Sequence, residues 1–488
     1  MFSTISNWPA ALISILLAAT GPAHGDPQID LPKIGESSGA VISPEQEREL
    51  GKAFMREARS HLKIVRDSEV DDYIRALGYT ISSRTEYNGG EFTFFVVQDP
   101  TINAFAAPGG YIGIHTGLIT ATRNEDELAS VIAHEVAHVS QRHLPRALEA
   151  ASKMNVPTTA ALIAAILLGR SNPQIGEAAI ATTLAGAQQT QINFTRSNEL
   201  EADRIGIQLV ARAGFDPRGM PAFFERLQQS YRFQTRNLPE FLSTHPVTTT
   251  RISDSLSRAE HYPPHKRSAP SEDYLLVKAK LKVLQAKTPG DLIRGFRTRL
   301  NRARGAEKTA LKYGLALAAL AASDLRTAEQ YTRELLAAEP ERVAFIALQA
   351  RLDIRRRRDE KALQDLASAL TLYPGQNTLV QLYAETLLRL GRQRDAYRVL
   401  KDKARSDPLN SSIRLLLARA ARESGRAREA HLAMADYYYL EGLVKKSVDQ
   451  LKIALRKTST KSFYETSRIE ARIAELEAEI KAMKESPY

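Results

Sequence analysis

Apolar positions along the chain change character twice. Near the N-terminus they form one short uncharged run, Ala10 to Ala19. From about residue 44 to 262 they fall into helix-like and strand-like stretches of ordinary globular length. SPEQEREL predicts a helix start, with Ser43 as N-cap, Pro44 in the first turn and acids following. A second helix is expected from about Asp67 to Ser83. EFTFFVVQ (91–98) reads as a strand, and GGYIGIHTGLI (109–119) as another strand after a Pro-Gly-Gly turn. NEDELASVIAHEVAHVSQRHL predicts a long helix capped by Asn124, with Glu127 at the capping-box position. SNELEADRIGIQLVARAG (197–214) predicts another helix, ended by Gly214, and STHPVTTTRISDSL (243–256) a loop leading into a further helix.

Beyond about residue 305 the pattern becomes alanine- and leucine-rich helices with an internal period. Pro340, Pro374 and Pro408 are spaced 34 apart, as are Ala328, Ala362, Ala396 and Ala430, and Gly391 and Gly425. This interval resembles tetratricopeptide repeats, helix pairs that stack into a solenoid with a concave surface. YYYLEGLVKKSVDQLKIAL breaks the spacing and is expected to continue the array, and RIEARIAELEAEIKAMKE to cap it. The run Arg355–Arg358 falls at a helix boundary and reads as a solvated turn.

The fold expected is mainly α: an α+β domain with a small sheet over residues 26–265, linker and first repeat-domain helices over 266–304, and an α-solenoid over 305–488. PPHKRSAPSED (263–273) marks the boundary. The stretches 156–169 and 177–187 are apolar and rich in small residues, broken by RSNPQIG. Each is too short to span a bilayer. They read as a helical hairpin covering a site, with peripheral membrane contact as the alternative.

Composition adjusts this picture in three places. The first run has signal-peptide length and is followed by Ala23 and Gly25 at A-x-G spacing, so residues 1–25 read as a leader for secretion, although no Lys or Arg precedes the run. An uncleaved anchor and a buried helix are the other readings. Absence of cysteine excludes disulfides, thiolate metal ligands and a cysteine nucleophile. Charge is uneven: residues 1–300 hold 32 basic and 31 acidic side chains, residues 301–488 hold 35 and 25. A basic C-terminal part favours acidic partners, although an unpartnered solvated surface accounts for it equally. No aromatic–basic pattern points to nucleic acid.

Candidate chemistry lies in ASVIAHEVAHVSQRH. His134 and His138, four apart on a helix, share a face and can bind one metal ion, while Glu135 lies beside it, placed to take a proton from water. A half-buried helix with polar residues is the alternative. A catalytic site of this kind needs a third ligand. VSQRHL lacks the glycine spacing of the H-x-x-G-x-x-H form, but Glu199 and Asp203 are again four apart. Glu199 can ligate, and Asp203 can accept a hydrogen bond from a ligand imidazole. Glu201 is the competing ligand and should face elsewhere. Two histidines and a glutamate favour zinc, one ion per chain. His115 and His143 read as structural.

HEVAH, ELEAD, STHP ahead of Arg251, and NAFAAPGGYIGIHTGLI together resemble the gluzincin family of the CAAX prenyl protease and HtpX. With a leader and C-terminal repeats, the resemblance is to BepA-type periplasmic metalloproteases. It implies that His134, His138 and Glu199 bind zinc, that Glu135 is the general base, and that His245 in the THP loop takes a fourth, regulatory position. It implies a periplasmic location, unfolded or stalled outer-membrane proteins as substrates, and the barrel-assembly machinery and lipopolysaccharide-transport barrel as partners. Arg251 is a candidate substrate or transition-state contact. Gly109, Gly110, Tyr111 and Ile112 are expected to form a sheet edge that holds substrate extended. The rival is a chaperone or scaffold with a mostly closed metal site; a purely structural zinc would leave Glu135 without a role.

Overall fold

In a computed structural model, residues 42–147, 185–231, 240–263, 271–457 and 463–485 are described. The expected leader and all but the last three residues of the 156–187 stretch lie outside them. The described residues belong to one compact unit. The fold is mainly α with one small sheet and a region of repeating helix pairs. Among the described residues no helix is long and apolar enough to cross a membrane.

Helix α1 (Pro44–His61) starts on a full capping box: Gln46 N–H donates to Ser43 Oγ at 3.2 Å, and Ser43 N–H to Gln46 Oε1 at 2.8 Å. Helix α2 (Ser68–Ser82) starts where the Asp67 carboxylate accepts from the N–H groups of Glu69 and Val70. Strands β1 (Thr93–Val97), β2 (Ala104–Ala107) and β3 (Tyr111–His115) follow, joined between β2 and β3 by a 3-10 turn at Pro108–Gly110. The sheet order is β1–β3–β2, with β3 parallel to β1 and antiparallel to β2.

Two sequence expectations are corrected here. The strand carrying Tyr111 and Ile112 is the central one, paired on both sides, so Gly109, Gly110, Tyr111 and Ile112 are not a sheet edge. The edge beside them is β2. The second half of GGYIGIHTGLI is also not strand: Thr116–Ala121 is helix α3. The chain turns after His115 because Gly117 N–H and Thr116 Oγ1 both donate to the Asp99 carbonyl, each at 2.8 Å.

Helix α1 braces the β2–β3 turn. A Cβ on Gly51 would lie 2.4 Å from the Pro108 carbonyl oxygen, so only glycine permits this approach. Gly51→Ala should cost about 1–3 kcal/mol in forced displacement, outweighing the roughly 0.5–1 kcal/mol that alanine gains within a helix. A chemical-denaturation midpoint at or above wild type would refute this.

Helix α4 (Glu125–Ser140) is the centre of the fold and is buried nearly all round. Asn124 caps it by accepting from Glu127 N–H at 2.9 Å, while Glu127 reaches back to Arg123 N–H at 2.7 Å, one residue beyond the usual box. Around α4 pack α2, the sheet, and helices α5 (Ala185–Arg212) and α6 (Gly219–Tyr231). Helix α7 (Glu240–Thr244) takes the start of the expected 243–256 loop, and α8 (Thr249–Glu260) begins at a Thr248 cap. Helix α9 (Glu272–Gln285) serves two cores: Tyr274, Val277 and Leu281 pack with α4's cluster, and Leu276 with the helices that follow.

Those helices are α10 (Pro289–Leu300), α11 (Gly305–Ala321), α12 (Leu325–Ala338), α13 (Val343–Arg355), α14 (Asp359–Leu372), α15 (Asn377–Arg389), α16 (Gln393–Ser406), α17 (Ser411–Glu423), α18 (Ala427–Leu440), α19 (Val444–Arg456) and α20 (Phe463–Glu485). The periodic alanines lie in α12, α14, α16 and α18 and are all buried, which lets paired helices approach closely. Ile469, Ile473 and Leu476 of α20 close the array against α19. The arginine run is a turn, as expected, but an ion-paired one: Arg356 meets Glu329 at 2.7 Å and Arg358 meets the buried Asp353 at 2.6 Å.

Helix α2 lies against this array. Glu69 takes Lys280 at 2.8 Å, Arg351 at 2.7 Å and the Tyr313 hydroxyl at 2.6 Å. Burial opposes its charge, but the two cations prevail and hold its carboxyl down at about 2. Ser68 bonds Thr378 at 2.8 Å, and Asp72 accepts from Asn377 at 2.5 Å. Arg75 faces Asp407 at 3.8 Å, Arg66 meets Glu441, and Arg56 of α1 meets Glu479 at 2.8 Å.

Candidate active site

Helix α4 presents His134 and His138 on one face, with Nε2 atoms 3.0 Å apart. Helix α5 crosses α4 and brings Glu199 to this point, with Oε2 at 3.4 Å from His134 Nε2 and Oε1 at 3.5 Å from His138 Nε2. His245, just after α7, adds Nδ1 at 3.3 Å from His134 Nε2 and 3.0 Å from Glu199 Oε1. Its backbone N–H donates to Phe241 O at 2.7 Å, and its ring stacks on that phenyl with centroids 4.9 Å apart. One ligand atom from each of the four residues lies within 4.8 Å of the other three.

The set fits a metal ion. His134 Nδ1 faces Asp203 Oδ1 at 3.0 Å, a position that calls for its N–H. Its Nε2 then offers a lone pair, and so does the His138 Nε2 aimed at it. Two lone pairs this close, with a carboxylate beside them, need a cation between them. Without a metal, that demand falls on His134: burial opposes its charge, yet Asp203 and Glu199 push it up to about 9. Burial and the neighbouring His134 hold His138 well below the usual range. Glu199 is kept strongly acidic, because His245 and His134 outweigh its burial.

Glu135 lies outside the four-atom cluster. It is 0% exposed, and neither carboxylate oxygen has a hydrogen-bond partner. His245 Nε2 lies 3.6 Å from one of its oxygens. A buried carboxylate with free lone pairs beside a metal-ligand cluster is equipped to take a proton. Glu135, His138 and His245 line a cleft of about 100 Å³ along β2, shared with Phe105, Ala106, Ala107 and Pro108.

Arg251 is placed differently from expectation. It is 3% exposed, with Nε and Nη2 on the two Asp203 oxygens at 2.6 and 2.7 Å. Its Nη1 reaches Glu199 at 2.8 Å and the Pro246 carbonyl at 2.9 Å, and its guanidinium lies over the Phe224 ring. Four of its five N–H groups are so engaged, and the guanidinium braces the two carboxylates and the His245 loop. Glu201 faces away from the cluster, as expected, toward His143 and Arg146. His115 bonds Thr101 at 2.8 Å. His143 contacts the His138 ring directly, which the sequence conceals. It returns to α4 only because Arg142 adopts a positive φ of 53°, a conformation that no residue pattern announces.

A helix bearing H-E-x-x-H, a glutamate from a second helix and a buried acid behind the first histidine define a metallopeptidase. Residues 68–259 match peptidase family M48. A β-barrel assembly-enhancing protease of Yersinia pestis is 34% identical over 96% of this chain and 97% of that protein. Its Escherichia coli K12 counterpart is 33% identical over 96% of each. The mitochondrial metalloendopeptidase OMA1 of Arabidopsis thaliana is 32% identical over 34% of this chain and 31% of its own. The chain belongs to peptidase family M48 and, within it, to the type of the β-barrel assembly-enhancing proteases.

Proposed function

We propose that the chain is a periplasmic zinc endopeptidase that removes misfolded or stalled outer-membrane proteins. The convergence of His134, His138, Glu199 and His245 beside the unpartnered Glu135 carries this reading. The kinship with β-barrel assembly-enhancing proteases supports the substrate class, and the leader-like residues 1–25 support the location. Nitrogen ligands mixed with a carboxylate favour zinc, one ion per chain.

When bound, zinc supplies Lewis acidity that acidifies water and polarises a carbonyl. Glu135 takes the proton of the attacking water and delivers it to the leaving amine. Asp203 fixes the His134 ring, and Arg251 fixes Asp203. Edge strand β2, running along the cleft, holds an extended peptide by strand addition, the role the sequence placed on its neighbour. The array of helix pairs, read as tetratricopeptide repeats, docks assembly partners; the barrel-assembly machinery and the lipopolysaccharide-transport barrel fit that role.

His245 gates the site. A fourth protein ligand fills the position that a catalytic zinc keeps open. The ring sits on the loop between α7 and α8, so withdrawing it means giving up its stack on Phe241 and shifting the loop that Arg251 holds at Pro246. His245→Ala should therefore raise degradation of an unfolded outer-membrane barrel protein, roughly tenfold if gating costs about 1.4 kcal/mol. A variant slower than wild type would sink the gating role. If wild type, Glu135→Gln and His245→Ala all fail to cleave yet all suppress aggregation of that substrate, the protein is a chaperone with a closed metal site.

A further inference from the structure

His138 and His143 meet through their Nδ1 atoms at 2.8 Å, with the rings edge-on and centroids 4.8 Å apart. On its far side, His143 Nε2 lies 3.2 Å from Glu201 Oε2, which also accepts from Arg146 Nη1 at 2.9 Å. His143 is 4% exposed. We infer that His143 and Glu201 form an outer relay that orients and tunes His138 as a metal ligand.

Resting on the metal-site reading above, the argument follows from proton counting. His138 Nε2 faces the ligand cluster, so its lone pair belongs there. A neutral imidazole carries one N–H, which must then sit on Nδ1. Nδ1 donates to His143 Nδ1, the only assignment that makes the 2.8 Å contact a hydrogen bond without charging either ring. His143 therefore carries its proton on Nε2 and donates it to Glu201. The chain of donors ends on a carboxylate whose charge Arg146 balances.

The result parallels His134, whose Nδ1 meets Asp203 directly. Each ligand histidine of α4 thus has an acceptor behind it. For His138 the carboxylate sits one imidazole further out, because the chain leaves α4 at Gln141 and only His143 returns. A hydrogen bond accepted from Nδ1 fixes the ring's tautomer and makes Nε2 more basic toward a metal. His143 and Glu201 are positioning residues: they act on the metal through His138.

The test is zinc affinity of the full mature chain, by competition with a chromophoric chelator, alongside thermal unfolding of chelator-treated protein. His143→Leu fills the space but accepts nothing, and should weaken zinc binding about 10–100-fold, as loss of an outer partner does. His143→Gln keeps an acceptor oxygen and a donor amide, and should recover much of that affinity. Glu201→Gln leaves His143 in place, guards against misfolding of the leucine variant, and should weaken binding by a smaller factor. His138→Ala is the control: if wild type binds no tighter than this variant, the metal-site reading itself is wrong. Wild-type affinity in His143→Leu and Glu201→Gln overturns the relay. So does equal loss in the leucine and glutamine variants, since packing alone would then account for it.

Discussion

Glu135→Gln should abolish peptide hydrolysis while leaving the metal bound. The glutamine keeps the side chain's shape and sits outside the four-atom cluster. What it removes is a base. Positioned acid–base groups contribute about 100- to 10,000-fold, and Glu135 is asked to serve both proton transfers, so a loss of at least about a thousandfold is expected. A second readout comes from burial. The carboxylate is 0% exposed and without hydrogen-bond partners, an arrangement that costs stability when no cation is near. In chelated protein the glutamine variant should therefore melt higher than wild type, the stability–activity exchange expected at a working site. Zinc content and hydrolysis of an unfolded barrel protein check the first claim. Turnover within tenfold of wild type would remove Glu135 from the mechanism.

Arg251→Leu should be the most disruptive single substitution near the site. It leaves Asp203 and Glu199 buried side by side without the guanidinium that bridges them. Breaking one partner out of a buried ion pair costs about 3–5 kcal/mol, because the remaining charge stays desolvated. The loss should appear both in denaturant unfolding and as weakened zinc binding, since Asp203 orients His134. Arg251→Lys should recover little, because an ammonium cannot span both Asp203 oxygens while also reaching Glu199 and Pro246. A stability loss below about 1 kcal/mol would show that water reaches these carboxylates after all.

Much of the chemistry was legible because it is written as local spacing. His134, Glu135 and His138 occupy one helix, Glu199 and Asp203 another, and the four-residue interval puts each pair on one face before any tertiary contact is known. The helix caps at Ser43 and Asn124 were readable for the same reason, and so was the period of 34 in the array. What stayed hidden depends on which element lies beside which. GGYIGIH has no polar alternation because β3 is covered on both sides, yet an apolar run alone does not separate a central strand from a buried edge. Arg251 has the composition of a substrate contact until Asp203 arrives from 48 residues away. His143 looked structural because its partnership with His138 needs the left-handed turn at Arg142.

The docking of α1 and α2 onto the helix array has a consequence for how such a chain can change over generations. Units of a helical-repeat array contact only their neighbours, so duplication or deletion of a unit is ordinarily tolerated. Here the contacts with α1, α2 and the segment between them advance along the array in order: Lys280 and Tyr313, then Arg351, Asn377 and Thr378, Asp407, Glu441 and finally Glu479. Together α1 and α2 act as a ruler with one mark for nearly every helix pair. Gaining or losing a single 34-residue unit would put every later partner out of step, including the half-buried pair of Arg56 and Glu479. Substitutions on faces of the array turned away from α1 and α2 should therefore be tolerated where a change in the number of units is not.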